Sequence, residues 1–422
     1  MFVLEYKVRQ PKPNQVQSIE EAIRTTQFVR NKVLRFWMDN YDVGKTELFR
    51  YNTQLRAEYP FVKELNSHAC QTAVERSLKA INRFFDNCRK KICGKKGYPR
   101  FAKNTRSVEY KVSGWKLSSC YKRITFTDKK GIGELKLIGT RDLGYFQPEQ
   151  IKRVRIVRRS DGYYVQFSVK LDPRDTVPRL KPTQKCCGVD VGLKYFLAQS
   201  DGTIEPIPQF YRKREKQLNR LNRQKSRKFR KGKPQSQNYR KARMRYAKKH
   251  LDISRQREEY LKKVALRLVK SQDLIAYENL NVKGLIKNRR LAKSIADAGW
   301  SKFRHWLEYF AYKYGKIAIA VSPYNTSQEC SNCGEIVKKT LSTRTHVCYH
   351  CGFVADRDVN AAMVILQRGL STLGHSGTNA WGEDTAVLAE AILSKQVTST
   401  NQESSRLTAE ECQDNIHIIK SY

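Results

Sequence analysis

Cys186-Cys187-Gly188-Val189-Asp190-Val191-Gly192 is a short apolar run with a carboxylate inside it and a glycine two residues to either side. The run reads as a buried strand. Lys194-Tyr195-Phe196-Leu197-Ala198, followed by the turn Asp201-Gly202, reads as an antiparallel neighbour. A carboxylate in a buried strand is costly unless a cation or a strong donor compensates it. A second apolar strand, Leu274-Ile275-Ala276-Tyr277-Glu278, also ends in an acid. Asp358 stands at the head of a helix that the pattern places over residues 360–370, where the helix dipole favours an anion. Two strand acids and one helix-start acid, remote in sequence, are the hard oxygen ligands that a pair of magnesium ions needs.

Each acid also has a plainer reading. Asp190 would hydrogen-bond a turn, Glu278 would face water at a strand end, and Asp358 or its neighbour Asp356 would be an N-cap. Asp358 is preferred over Asp356 as a ligand because Asn360, Ala361 and Ala362 share its first turn, and small residues there permit close approach to a sheet.

Between the second strand and that helix stand Cys330-x-x-Cys333 and Cys348-x-x-Cys351. Two such pairs offer four thiolates to one tetrahedral zinc, with Gly334 and Gly352 allowing the tight knuckle turns. His346 and His350 are ligands by type, but four sulfurs already close the site. The zinc is therefore expected to be structural. The plainer alternatives are disulfides or free thiols.

The 422 residues include 82 Lys and Arg against 40 Asp and Glu, a net charge of +42. Such an excess points to a polyphosphate partner, nucleic acid above all. It is densest from Tyr211 to His250, where 18 cations face the single acid Glu215 and are interleaved with Phe229, Tyr239 and Tyr246. Cations that neutralise phosphates and rings that stack bases suit a helix pair lining a nucleic-acid channel. A solvated basic arm is the plainer reading. No segment has the length and apolarity of a membrane span, and the N-terminus lacks the pattern of a secretory signal. With scattered cysteines, this predicts a cytoplasmic protein, nucleoid-associated when bound to DNA, with no membrane and no small-molecule substrate.

Further out, the first eight residues read as a strand closed by Pro11 and Pro13. Helical periodicity follows, with Val16, Ile19 and Ile23, then Val74, Leu78, Ile81 and Phe85 on one face. From Arg100 to Leu171 the period is two. Asp161-Gly162 marks a hairpin, which predicts a small antiparallel barrel joined by the N-terminal strand. One helix is expected over residues 290–314.

Gly188-Val189-Asp190-Val191-Gly192 and Tyr277-Glu278-Asn279-Leu280 resemble the first two blocks of a RuvC-type nuclease domain. With residues 290–300, Ser322-Pro323, the cysteine pairs and Asp356-Arg357-Asp358-Val359-Asn360-Ala361-Ala362, the chain resembles the TnpB family, the OrfB-type proteins of small insertion sequences. The resemblance implies a mixed α/β and β multidomain protein with an RNase H-like RuvC core and an inserted zinc ribbon. A wedge-like β-barrel carrying a helical recognition insertion would precede that core. The implied boundaries are residues 1–12 and 96–180 for the wedge, 13–95 for recognition and 181–326 with 354–378 for the nuclease. Residues 327–353 would form the ribbon, and 379–422 a flexible tail. The implied activity is RNA-guided DNA cleavage beside a short motif. Guide RNA from the transposon end and double-stranded target DNA would be the partners. Asp190, Glu278 and Asp358 would be catalytic and hold two magnesium ions, and Cys330, Cys333, Cys348 and Cys351 would hold zinc.

Two other classes fit part of the pattern. A transposase would also use three acids, but would join DNA ends and carry no RNA. A non-catalytic zinc-ribbon regulator would keep its function after all three acids were replaced.

Overall fold

The computed structural model describes residues 1–41, 43–340 and 342–375. The tail expected over 379–422 lies outside them. The chain divides into two compact units, Met1–Pro173 and Arg174–Tyr422.

In the first unit, strand β1 (Phe2–Val8) is followed by helices α1 (Pro13–Asp39), α2 (Lys45–Glu58), α3 (Pro60–Lys63) and α4 (Ser67–Arg89). Then come β2 (Ser107–Lys111), β3 (Trp115–Leu117), β4 (Arg123–Phe126), β5 (Gly133–Ile138), β6 (Ile151–Arg159) and β7 (Gly162–Val169). These seven strands form one antiparallel sheet in the order β2-β6-β7-β1-β5-β4-β3. The N-terminal strand thus lies at its centre. The outermost strands, β2 and β3, are separated in sequence only by the turn Val112–Gly114, so the sheet must curl until its edges approach. Leu4, Tyr6 and Val8 on β1 and Val165, Phe167 and Val169 on β7 point inward by strict alternation. They share one core with Ile19, Val29 and Val33 of α1 and Val74 of α4. Asn66 caps α4 by accepting from the His68 backbone N–H at 2.9 Å.

The expected apolar face of α4 is only partly right. Val74 and Ile81 are buried, whereas Phe85 is 46 % exposed, because α4 runs past the end of the core.

The second unit contains β8 (Cys186–Asp190), β9 (Tyr195–Gln199), β10 (Ile204–Pro206), α5 (Phe210–Ser226), α6 (Gln237–Ser271) and β11 (Leu274–Glu278). It continues with α7 (Val282–Leu285), α8 (Ala292–Ala298), α9 (Trp300–Tyr314) and β12 (Ile317–Val321). The hairpin β13 (Thr345–Val347) and β14 (Val354–Asp356) and helix α10 (Arg357–His375) complete it. The main sheet has the order β10-β9-β8-β11-β12; β8, β11 and β12 are parallel, and β9 and β10 are antiparallel additions. Ile275 and Tyr277 face a core with Leu261, Val264 and Leu268 of α6 and Phe303 and Leu307 of α9. Leu274 and Ala276 face the other way, toward Ile365 of α10. Helices therefore cover both faces, as a sheet with a parallel centre requires.

The single helix expected over 290–314 is two. Gly299 sits at φ +74°, ending α8 and starting α9 in a left-handed turn that a residue with a Cβ rarely adopts.

Candidate active site and metal centre

Asp190 is the last residue of β8 and Glu278 the last of β11. These strands are parallel and in register through the pair Val189–Tyr277. The two acids therefore end adjacent strands side by side, one residue beyond that pair. Both alternate away from Val189 and Tyr277, which face α6 and α9, and so project toward the α10 face.

Helix α10 can bring Asp358 there because it lies directly on the sheet. A Cβ on Gly188 would stand 1.9 Å from the Ala362 carbonyl oxygen, and one on Gly369 would stand 2.5 Å from the Ala276 Cβ. The small residues foreseen at the head of this helix do allow contact.

The structure also separates the two candidate acids at that helix. Asp356 Oδ1 accepts from the backbone N–H groups of Asp358 at 2.8 Å and Val359 at 3.4 Å, so Asp356 caps α10. The Asp358 carboxylate instead accepts from Arg357 Nε at 3.0 Å and Nη2 at 2.8 Å, with Arg344 Nη1 at 3.9 Å.

Asp190 feels both of the other carboxylates. Burial, then the negative charges of Glu278 and Asp358, push the Asp190 carboxyl up to about 8. Burial also raises Glu278, partly opposed by a hydrogen bond from the Thr326 hydroxyl and by the charge of Arg368. Carboxylates crowded in this way need a cation, so the donor set fits hard divalent ions. Their oxygens are more widely spread than the cysteine sulfurs. Among the described residues, only the four cysteines form a group of three or more such side chains whose ligating atoms all lie within 4.8 Å of one another.

Those sulfurs fit zinc. Cys330 and Cys351 Sγ lie 3.7 Å apart, and Cys333 and Cys348 Sγ 3.6 Å. A zinc–sulfur bond of about 2.3 Å gives a tetrahedron with edges of about 3.8 Å. The two knuckles match. Gly334 N–H donates to the Cys330 carbonyl and Gly352 N–H to the Cys348 carbonyl, each at 2.9 Å, at φ of +80° and +74°. His346 is buried with Nδ1 against Lys339 Nζ, outside the sulfur set, and His350 packs beside Tyr349.

Several residues around these sites carried no distinct signal in the sequence. Thr326, 3 % exposed, holds Glu278 from the segment between β12 and the first cysteine. Asn360, fully buried, accepts from the Ser331 N–H at 3.0 Å and donates to the Glu329 carbonyl at 2.7 Å, fixing the first knuckle to α10. Arg368 donates to the carbonyls of Ser322 and Tyr324 at 3.0 and 2.7 Å and also binds Glu329. Asp297 on α8 receives the first N–H groups of α5, Tyr211 at 2.9 Å and Arg212 at 3.2 Å, and so caps the basic helix from a distance. A hydroxyl or amide that acts across 30 or more residues has no local pattern to reveal it.

A cavity of about 260 Å³ opens at the strand ends, lined by Glu278 together with Val189, Tyr277, Trp300, Phe303 and Arg304. Among the described residues, no helix is long and apolar enough to cross a membrane.

A helix-covered mixed sheet, acids closing two of its parallel strands and a third acid heading the helix laid over them, with four cysteines that could hold zinc just before that helix, define an α/β protein. Residues 166–289, which include Asp190 and Glu278, match the OrfB_IS605 family model, "Probable transposase". Residues 300–365, which include the four cysteines and Asp358, match the model of the Cas12f1-like TNB domain. A Streptomyces pristinaespiralis protein named "Putative RNA-guided DNA endonuclease" is 31 % identical over 323 residues, 74 % of this chain and 74 % of its own length. InsQ of Escherichia coli K12, with the same description, is 28 % identical over 371 residues, 82 % of this chain and 87 % of that protein. A solved Cas12f1–sgRNA–target DNA complex aligns with a TM-score of 0.48 at 14 % identity, covering 83 % of this chain and 81 % of that one. The chain belongs to the TnpB family of OrfB-type proteins.

Proposed function

We propose that this chain is an RNA-guided DNA endonuclease encoded by an insertion sequence. It takes its guide RNA from the transposon end and cuts double-stranded target DNA beside a short motif. Asp190, Glu278 and Asp358 would hold catalytic magnesium, which when bound would activate a water and stabilise the leaving oxygen of the phosphodiester. The observation that carries the proposal is geometric: Asp190 and Glu278 end adjacent parallel strands side by side, and the helix headed by Asp358 is seated on those strands.

The chain's own residues set up that chemistry. Asp190 and Glu278 are fixed by the strand ends, and Asp358 by a helix seated on the same strands. Thr326 restrains one oxygen of Glu278. Arg357, which pairs with Asp358 at 2.8 Å, orients that carboxylate and would offer a cation to the phosphate beside it.

On this reading the curled sheet, residues 1–12 and 96–180, is the wedge, and the helices within 13–95 are the recognition part. Residues 181–326 and 354–378 are the RuvC-type nuclease, and 327–353 are a zinc-stabilised ribbon that contacts target nucleic acid. The α5–α6 pair, whose cations lie between the two catalytic strands in sequence, lines the channel for the guide–target duplex. The duplex is gripped by its backbone, while sequence is read by base pairing.

The test is Asp190→Ala in the RNA-loaded protein. Cleavage of a guided target should vanish, with loss exceeding 1,000-fold on the order expected for removal of a metal ligand, while the RNA stays bound. Unchanged cutting would overturn the assignment.

A further inference from the structure

The exposed end of the helical part of the first unit carries an aromatic surface that the nuclease reading does not use. Trp37, near the end of α1, packs against Phe85 of α4 at 6.1 Å between ring centroids and against Tyr98 at 5.9 Å. Tyr98 also meets Phe84 at 5.2 Å, edge to face. Phe85 and Tyr98 remain 46 % and 53 % exposed. The loop that presents Tyr98 is held in place. Asn87 donates to the Lys96 carbonyl at 2.9 Å, and the Ile92 N–H returns to the Asn87 carbonyl at 3.2 Å.

Two large rings left half in water, on a rigid base, lose the stabilisation that burial would give them. Their surroundings say what covers them. Residues 83–100 contain seven Lys or Arg and one acid, Asp86, which already pairs with Arg89 at 2.7 Å. Lys90, Lys91 and Lys95 are exposed in the same segment. Exposed rings in a segment this rich in cations suit a polyanion that also offers flat apolar faces, which is a nucleic-acid strand. Bases inside a duplex have both faces covered by their neighbours, so the rings need unpaired bases. Target DNA arrives as a duplex and frees one strand only after the guide has paired, whereas a folded RNA exposes free bases at its loops and bulges from the outset.

We propose that Phe85 and Tyr98, supported by Trp37 and flanked by Lys90, Lys91 and Lys95, form a stacking platform for unpaired bases of the guide RNA. The proposal rests on the RNA-guided reading above and adds a site to it.

The experiment titrates the full chain with a single-stranded RNA carrying one 2-aminopurine. The same sequence as single-stranded DNA and as duplex RNA provides the comparison, at several salt concentrations. The double variant Phe85→Ala/Tyr98→Ala should bind the single-stranded RNA about tenfold more weakly and lose the quenching of 2-aminopurine. Its salt slope should be unchanged. Lys90→Ala/Lys91→Ala should lower the slope of log K against log salt by about 0.7 for each phosphate contact removed, with quenching kept. Tyr98→Phe keeps the ring and should behave as wild type, which separates stacking from a folding defect. Binding of duplex RNA or single-stranded DNA as tight as that of single-stranded RNA would overturn the proposal. So would unaltered affinity and quenching in the ring variant. If the wild-type chain bound RNA no better than DNA in any form, the RNA-guided reading itself would fall, a result distinct from failure of the platform alone.

Discussion

A carboxyl group flanked by two others gives up its proton reluctantly, and Asp190 holds its proton to about pH 8 against an ordinary value of 3.8. The consequence for stability has a definite sign. Below pH 3.8 the group is protonated in both folded and unfolded chains and contributes nothing. Between 3.8 and about 8 only the unfolded chain ionises, so the fold loses stability as pH rises, and the loss is complete above about 8. In magnesium-free buffer, Asp190→Asn should therefore melt above the wild type by a few degrees at pH 8, with the gap closing toward pH 4. A gap independent of pH would contradict the raised value, which burial and then the two neighbouring acids impose on Asp190. Thr326 has a similar local logic. Thr326→Val keeps the shape and removes the only side-chain donor shown for the Glu278 carboxylate. The magnesium concentration giving half-maximal thermal stabilisation should rise several-fold, and Thr326→Ser should restore it. A variant that lost stability with unaltered magnesium dependence would reduce Thr326 to a packing residue.

At the scale of elements, the contact between α10 and β8 fixes where Asp358 stands. Gly188→Ala would drive a methyl group into the Ala362 carbonyl and the Leu366 N–H, 1.9 and 2.7 Å from the new Cβ, and backbone cannot move aside as a side-chain tip can. Overpacking of this kind costs about 1–3 kcal/mol. The variant should melt lower and cut poorly while retaining a full complement of zinc, measured by metal analysis, because the thiolate knuckle does not touch Gly188. Much of this layout was legible beforehand. The strand acids stood out because a buried carboxylate contradicts its apolar neighbours, and the cysteine pairs because their spacing is that of a tetrahedral site. What stayed hidden depends on partners distant in sequence. Asp356 and Asp358 look alike until one accepts the helix N–H groups. The break at Gly299 sits inside an unbroken apolar period and shows only in its φ. Phe85 keeps the helical period of Val74 and Ile81, but the core ends before α4 does.

At the scale of the whole molecule, the buried residues sort cleanly by unit. The buried core runs from Leu4 to Val169, with Leu171 packed against it, and unites α1, α2 and α4 with all seven strands of the curled sheet. The next core begins at Cys187. A unit that holds one continuous core of its own meets the basic condition for folding alone, and 173 residues are ample for such a core. The fragment Met1–Pro173 should therefore unfold in one cooperative transition by circular dichroism. Because β1 is the central strand, pairing with both β5 and β7, a fragment starting after Val8 should show no such transition. Removing an edge strand exposes one row of backbone groups, but removing this one splits the sheet in two and opens the core around Leu4 and Tyr6. If the shortened fragment melted like the longer one, the first eight residues would be a dispensable edge and the topology that carries helices α1 to α4 would be wrong.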